Sequence, residues 1–140
     1  MEKISVIGAG TMGASIAQVF ATAGYRVVLA DTGLEQVRKG KNMISSSLHY
    51  LANKEKITQE QRDAILNRIE ITDRLCECAQ SELVVEAVYE DVLAKQEIFK
   101  QLEQIVDKDA ILATNTSSIS VTQIGSVLKH RERFAGMHFF

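Results

Sequence analysis

The segment Gly8-Ala9-Gly10-Thr11-Met12-Gly13 constrains this chain more than any other. It stands between a short apolar run, Lys3–Ile7 (KISVI), and a stretch from Thr11 to Ala23. That stretch carries Ile16, Val19 and Phe20 at helical spacing, and Gly24 is its stop. A strand that turns at once into a helix leaves little freedom. The first glycine permits the tight turn, the second lets a ligand approach the backbone, and the third lets the helix pack close to the strand. Free N–H groups at the positive end of such a helix attract an anion, so the pattern in this context points to a dinucleotide pyrophosphate.

The rest of the chain alternates in the same way. Further strands are expected at Arg26–Ala30 (RVVLA), Ile69–Thr72, Leu83–Val88 (LVVEAV), Ala110–Thr114 (AILAT) and Phe134–Phe140. Thr32 and Glu35 read as a capping box that starts a long helix through about Lys54, with Leu34, Val37, Ile44, Leu48 and Leu51 as its apolar stripe. Thr58 and Gln61 read as a second box, before a helix carrying Ile65 and Leu66. A helix over Asp91–Val106 turns Val92, Phe99, Leu102 and Ile105 inward, and Ser120 with Gln123 caps a short helix through Leu128. Strands that alternate with helices pair in parallel, and near-continuous apolar strands fit a sheet covered on both faces. The fold class is therefore α/β: a Rossmann-type doubly wound, mostly parallel sheet with a helical insertion after the second strand. The insertion, from about Leu34 to Asn67, is expected to project from the sheet.

Bulk properties narrow the function. A length of 140 residues favours one domain. A net charge of −2 gives no reason to expect a nucleic-acid or membrane surface. No apolar run approaches the roughly 20 residues of a membrane helix. Met1-Glu2-Lys3 leads straight into a strand, without the pattern of a signal peptide. Cys76 and Cys78, two residues apart, lack the partners of a zinc site and read as reduced thiols of a cytoplasmic protein. No metal is expected.

Asp31 ends the second strand roughly 20 residues after the turn, where a carboxylate bonds ribose hydroxyls. Its charge would repel a 2′-phosphate, which favours NAD over NADP. The cofactor set is then Gly8, Gly10, Thr11, Met12, Gly13 and Asp31. Two other readings stand at this point: FAD, which shares the turn, and a plain Gly-rich turn in which Asp31 only caps the next helix.

With the turn in place, the whole chain resembles the NAD-binding half of L-3-hydroxyacyl-CoA dehydrogenases, including the 3-hydroxybutyryl-CoA members. The resemblance rests on Ile7 to Gly13, on Val84-Val85-Glu86-Ala87-Val88-Tyr89-Glu90, on Asn115-Thr116-Ser117-Ser118 and on Phe134-Ala135-Gly136-Met137-His138-Phe139-Phe140. It implies reversible oxidation of a 3-hydroxyacyl-CoA to the 3-ketoacyl-CoA, with hydride passing to NAD. His138 matches the family's catalytic histidine, and an imidazole suits proton exchange at neutral pH. Ser117 matches a serine near both the substrate oxygen and the nicotinamide, an orienting hydrogen-bonder and not a nucleophile. Glu90 and Lys95 fall where the family contacts the nicotinamide ribose, with Glu86 close enough in sequence to be confused with Glu90. Ser47 and Lys54 match positions that touch coenzyme A. His49 and His130 match no family role.

The same resemblance implies an Asn-Pro step, a glutamate and a helical C-terminal substrate and dimerisation domain beyond residue 140. This 140-residue chain is accordingly expected to bind NAD, to be inactive alone, and to form a homodimer through that further domain. Other classes stand beside this expectation: a non-catalytic NAD-binding protein on the same scaffold, crystallin-like or redox-sensing; a two-activity fatty-acid oxidation protein; and a dehydrogenase of another hydroxy acid.

Overall fold

The computed structural model describes residues 2–116 and 119–139. Six strands form one sheet: β1 (Lys3–Ile7), β2 (Arg26–Ala30), β3 (Ile69–Thr72), β4 (Leu83–Glu86), β5 (Ile111–Thr114) and β6 (Phe134–Gly136). Their order is β3-β2-β1-β4-β5-β6. Every pairing is parallel, with Ile7 opposite Ala30 on one side and opposite Glu86 on the other. Five helices connect them: α1 (Thr11–Thr22), α2 (Leu34–Asn53), α3 (Gln59–Asn67), α4 (Val92–Ile105) and α5 (Val121–Gly125).

The period-two alternation of the strands sorts the core into two layers. Ile4, Val6, Val27, Leu29 and Val85 face one side, where they pack with Ile16, Ala17, Val37, Ile44 and Leu48 of α1 and α2. Ile7, Val28, Val84 and Leu112 face the other, with Phe99 and Leu102 of α4 and Ile124 of α5. Both faces are covered, which is what the apolar strands require. Where β1 lies between β2 and β4, the chain changes direction across the sheet. In open parallel sheets a ligand crevice forms at that point, beyond the carboxyl ends of the strands.

Most expected elements form at their expected places, and the second capping box is complete: Thr58 and Gln61 bond each other's backbones. Asp91 and Ser120 cap α4 and α5 through their side chains. Several expectations are corrected, among them the strand expected at Leu83–Val88, which ends at Glu86. Thr32 and Glu35 do not make a capping box: Gly33 is the N-cap of α2, with no side-chain bond, and Thr32 Oγ1 turns back to Asp31 Oδ1 at 3.3 Å. The strand-end carboxylate outcompetes the helix for that hydroxyl. Helix α2 does not stand off the sheet, because Val37, Ile44 and Leu48 are fully buried along it; Leu34 and Val19 are instead exposed. Strand β6 is shorter than Phe134–Phe140, since pairing with β5 ends at Gly136. Finally, a 3-10 turn at Leu75–Cys78, unmarked by any hydrophobic period, precedes β4.

Candidate functional site

The Gly-rich turn is built as its spacing requires. Gly8 has φ of +107°, and a Cβ there would lie 2.6 Å from Ala87 O, so both conformation and space demand glycine. A Cβ on Gly13 would come within 1.7 Å of Gly8 O, which is how closely α1 approaches the strand. Gly10, by contrast, has none of the described residues within 4 Å of an added Cβ. It is also the N-cap of α1, with no side-chain hydrogen bond and no acidic residue in the first turn. Helix α1 thus presents its first N–H groups and the positive end of its dipole unopposed. Thr11 and Met12 are exposed on that first turn.

Beyond the ends of β1, β2 and β4 lies a cleft of about 720 Å³ lined by Gly8, Gly10, Asp31, Leu75, Val88 and Ile98, among others. Asp31 sits at its edge, half-buried, directly after β2. Its Oδ2 accepts from Ala9 N at 2.8 Å and its Oδ1 from Thr32 N at 2.7 Å. The apolar lining, the open Gly10 face and the uncapped helix end fit a dinucleotide: base against hydrocarbon, ribose beside a carboxylate, phosphates on the helix terminus.

Next to the cleft, a polar network ties β4, β5 and α4 together. Glu86 and Lys95 are both fully buried and meet at 2.6 Å. Glu86 also accepts from Thr114 Oγ1 at 2.5 Å and from Val88 N at 2.6 Å. Besides Glu86, the Lys95 ammonium reaches Val88 O at 3.1 Å and Glu90 Oε1 at 3.3 Å. Glu90 in turn accepts from Thr116 Oγ1 at 2.6 Å. Of the two residues expected near the nicotinamide ribose, Glu90 is partly exposed while Lys95 is enclosed, turned toward two carboxylates and not toward the cleft. Glu86 enters the sequence expectations only as a neighbour to be confused with Glu90, and Thr114 only as the end of a strand. The sequence signal is an acidic residue inside an otherwise apolar expected strand, Leu83–Val88, which the structure ends at Glu86.

His138 lies exposed on the segment after β6. That segment is held by Met137 N on Thr114 O at 2.9 Å and by Phe139 N on Asn115 Oδ1 at 3.1 Å. Phe139 packs edge-on against Phe20, with ring centroids 5.9 Å apart. His138 and the Asn115–Thr116 loop are therefore brought to the same end of the sheet. Asn115 has a holding task that its sequence position did not announce. Ser117 lies outside the described residues.

Ser47 and Lys54 are exposed on α2 and do not line the cleft. Ser47 Oγ accepts from Gln18 Nε2 at 3.0 Å, and Lys54 is the C-cap residue, its Nζ 5.8 Å from the Tyr50 ring centroid. His49 is paired with Arg62 at 3.2 Å and His130 with Glu132 at 3.6 Å. Cys76 and Cys78 are free, the first exposed and the second buried. Among the described residues no cluster suits a metal ion, and no helix is long and apolar enough to cross a membrane.

Comparison with known proteins agrees with this geometry. The family described as "3-hydroxyacyl-CoA dehydrogenase, NAD binding domain" matches residues 3–140. A 3-hydroxybutyryl-CoA dehydrogenase of Mycobacterium tuberculosis (strain CDC 1551 / Oshkosh) is 38% identical over 141 residues, covering 100% of this chain and 49% of its own. A 3-hydroxyadipyl-CoA dehydrogenase of Escherichia coli (strain K12) is 39% identical, covering 100% of this chain and 30% of its own. The crystal structure of (S)-3-hydroxybutyryl-CoA dehydrogenase from Ralstonia eutropha superposes with a TM-score of 0.97 at 39% identity, over 100% of this chain and 50% of that one. The chain thus spans about half the length of the curated 3-hydroxybutyryl-CoA dehydrogenases it matches.

Proposed function

The chain belongs to the family of 3-hydroxyacyl-CoA dehydrogenase NAD-binding domains, and from that premise we propose that it is the cofactor half of an NAD-dependent L-3-hydroxyacyl-CoA dehydrogenase. The reaction is reversible: a 3-hydroxyacyl-CoA becomes the 3-ketoacyl-CoA. One observation carries the reading. The uncapped start of α1, behind Gly8 and Gly10, opens on a cleft edged by Asp31, and His138 is delivered to the same end of the sheet.

NAD, when bound, supplies the hydride acceptor. The chain's own residues do the rest. The N–H groups of Gly10, Thr11, Met12 and Gly13 meet the pyrophosphate, and Asp31 accepts from the adenosine ribose. Glu90 faces the nicotinamide ribose region, with Lys95 as its fixed counter-charge. His138 takes the proton of the substrate hydroxyl in the forward direction and returns it to the ketone in reverse. Ser117 orients the reacting oxygen. Ser47 and Lys54 meet coenzyme A on the outer side of α2, Lys54 through a phosphate.

The chain by itself binds NAD and turns acyl-CoA over slowly or not at all. This is supported by the share of its relatives that it spans. A second, helical half carries the remaining substrate contacts and the homodimer contact. The protein works in the cytoplasm, in fatty-acid or related acyl-CoA metabolism. Calorimetric titration of the chain with NADH tests the first claim, and absence of binding overturns it. Oxidation of NADH by the pure chain with acetoacetyl-CoA tests the second. A rate in the ordinary enzymatic range, of order 1–10³ s⁻¹, overturns the inactivity.

A further inference from the structure

We infer that Asp31 is also the latch of the phosphate turn: it holds the Gly8–Gly13 backbone in its binding shape before any cofactor arrives. In a strand, consecutive N–H groups point to opposite sides. Here two consecutive amides both donate to the end of β2. Gly8 N bonds Ala30 O at 2.7 Å, and Ala9 N bonds Asp31 Oδ2 at 2.8 Å. The positive φ of Gly8 rotates the Ala9 amide onto that side. Ala9 is only 3% exposed, so water does not serve its N–H, and the Asp31 carboxylate does. A buried donor stripped of its acceptor drives rearrangement of the backbone that carries it.

The carboxylate has about four acceptor positions. Oδ2 spends one on Ala9 N, and Oδ1 spends two on Thr32 N and Thr32 Oγ1. One position on Oδ2 stays open for a ligand hydroxyl, and a second hydroxyl is accommodated when the Thr32 side chain turns away. The oxygen that would receive the ribose is thus the one that shapes the phosphate turn. Recognition of sugar and of phosphate pass through one atom. This deepens the reading of Asp31 as a ribose acceptor and rests on that reading only where a ligand is used.

The first test uses no ligand. Amide hydrogen exchange of Ala9, followed by NMR, is slow in the native chain, like that of β1, despite its position in a turn. It speeds up about tenfold or more in Asp31→Ala, the loss of one buried hydrogen bond. It stays within about threefold of native in Asp31→Asn, whose amide oxygen remains an acceptor. Native exchange as fast as in an exposed loop overturns the latch, whether or not the alanine variant folds.

The second test compares NAD with an analogue that lacks both hydroxyls of the adenosine ribose. A carboxylate acting only on those hydroxyls leaves the analogue's affinity equal in the native chain and Asp31→Ala. The latch weakens the analogue about tenfold in Asp31→Ala and leaves it near native in Asp31→Asn. Equal affinity in all three overturns the latch. If the native chain binds NAD and the analogue equally, the ribose reading falls alone and the exchange result stands.

Discussion

Lys95 Nζ lies 2.6 Å from Glu86 Oε2, and neither side chain touches solvent. Removing one partner strands the other's charge in the core. Lys95→Met is therefore expected to cost about 3–5 kcal/mol of folding free energy, measured by urea denaturation. Combining it with Glu86→Leu should recover most of that loss, because apolar replacement of a whole buried pair is often neutral. A double variant as unstable as Lys95→Met alone would refute this account.

Gly10 and Gly13 are separable although one motif contains both. An added Cβ at Gly13 collides with Gly8 O, so Gly13→Ala should lower stability by about 2 kcal/mol or more. Gly10→Ala meets no atom of the described residues and should change stability by no more than about 1 kcal/mol, the scale of an N-cap change. It should nonetheless weaken NAD about tenfold or more, by holding the pyrophosphate off the backbone. Thermal melts paired with NAD titration distinguish the two. Unchanged affinity in Gly10→Ala would contradict the placement of the phosphates.

Asn115 holds the segment that carries His138 through its bond from Phe139 N. Asn115→Ala should cost about 1 kcal/mol and accelerate exchange of the Phe139 amide roughly fivefold. Asn115→Asp, which keeps an acceptor, should leave that amide protected. NAD affinity should not move, since Asn115 does not line the cleft.

The two thiols should behave differently. Cys76 is exposed and should react with a thiol reagent at once, while Cys78 should react only on unfolding. Burial pushes the Cys78 thiol up from its ordinary value, partly offset by its bond with Ser5. Its proton is held more tightly in the folded chain than in the unfolded one. The resulting stabilisation is complete below the unfolded thiol's pKa of about 8.5 and is lost as pH rises through the folded value. Denaturation at rising pH should show an alkaline decline that Cys78→Ala diminishes.

Strands and helices were legible because burial imposes a period on the sequence. Ile4 and Val6 against Ser5 and Ile7, or Phe99 with Leu102, say which face is which. The turn was legible because only glycine satisfies Gly8 and Gly13. What stayed hidden was the partner choice of polar groups. Nothing in Thr32-Gly33-Leu34-Glu35 tells that Asp31 claims the threonine, and nothing near Lys95 tells that Glu86 encloses it. Such choices depend on side chains brought together by the sheet from distant positions, and a local pattern does not record them. Asn115 is the same case: its neighbours suggest a turn, whereas its side chain holds the segment after β6, 24 residues away.

The position of β1 between β2 and β4 has a kinetic meaning. One flank of β1 closes early, through the short α1 crossover to β2. The other waits until Leu83–Glu86 has crossed back over the sheet. Until then its edge is unpaired and the layer under α4 is bare. Closure of that long loop, and not the formation of any helix, is therefore the step expected to limit the rate of folding. The cleft lies beyond the ends of β1, β2 and β4, so its wall is complete only at that closure. A cofactor that binds there stabilises only chains that have already passed it. Added NAD should therefore slow unfolding while leaving the rate of folding almost unchanged.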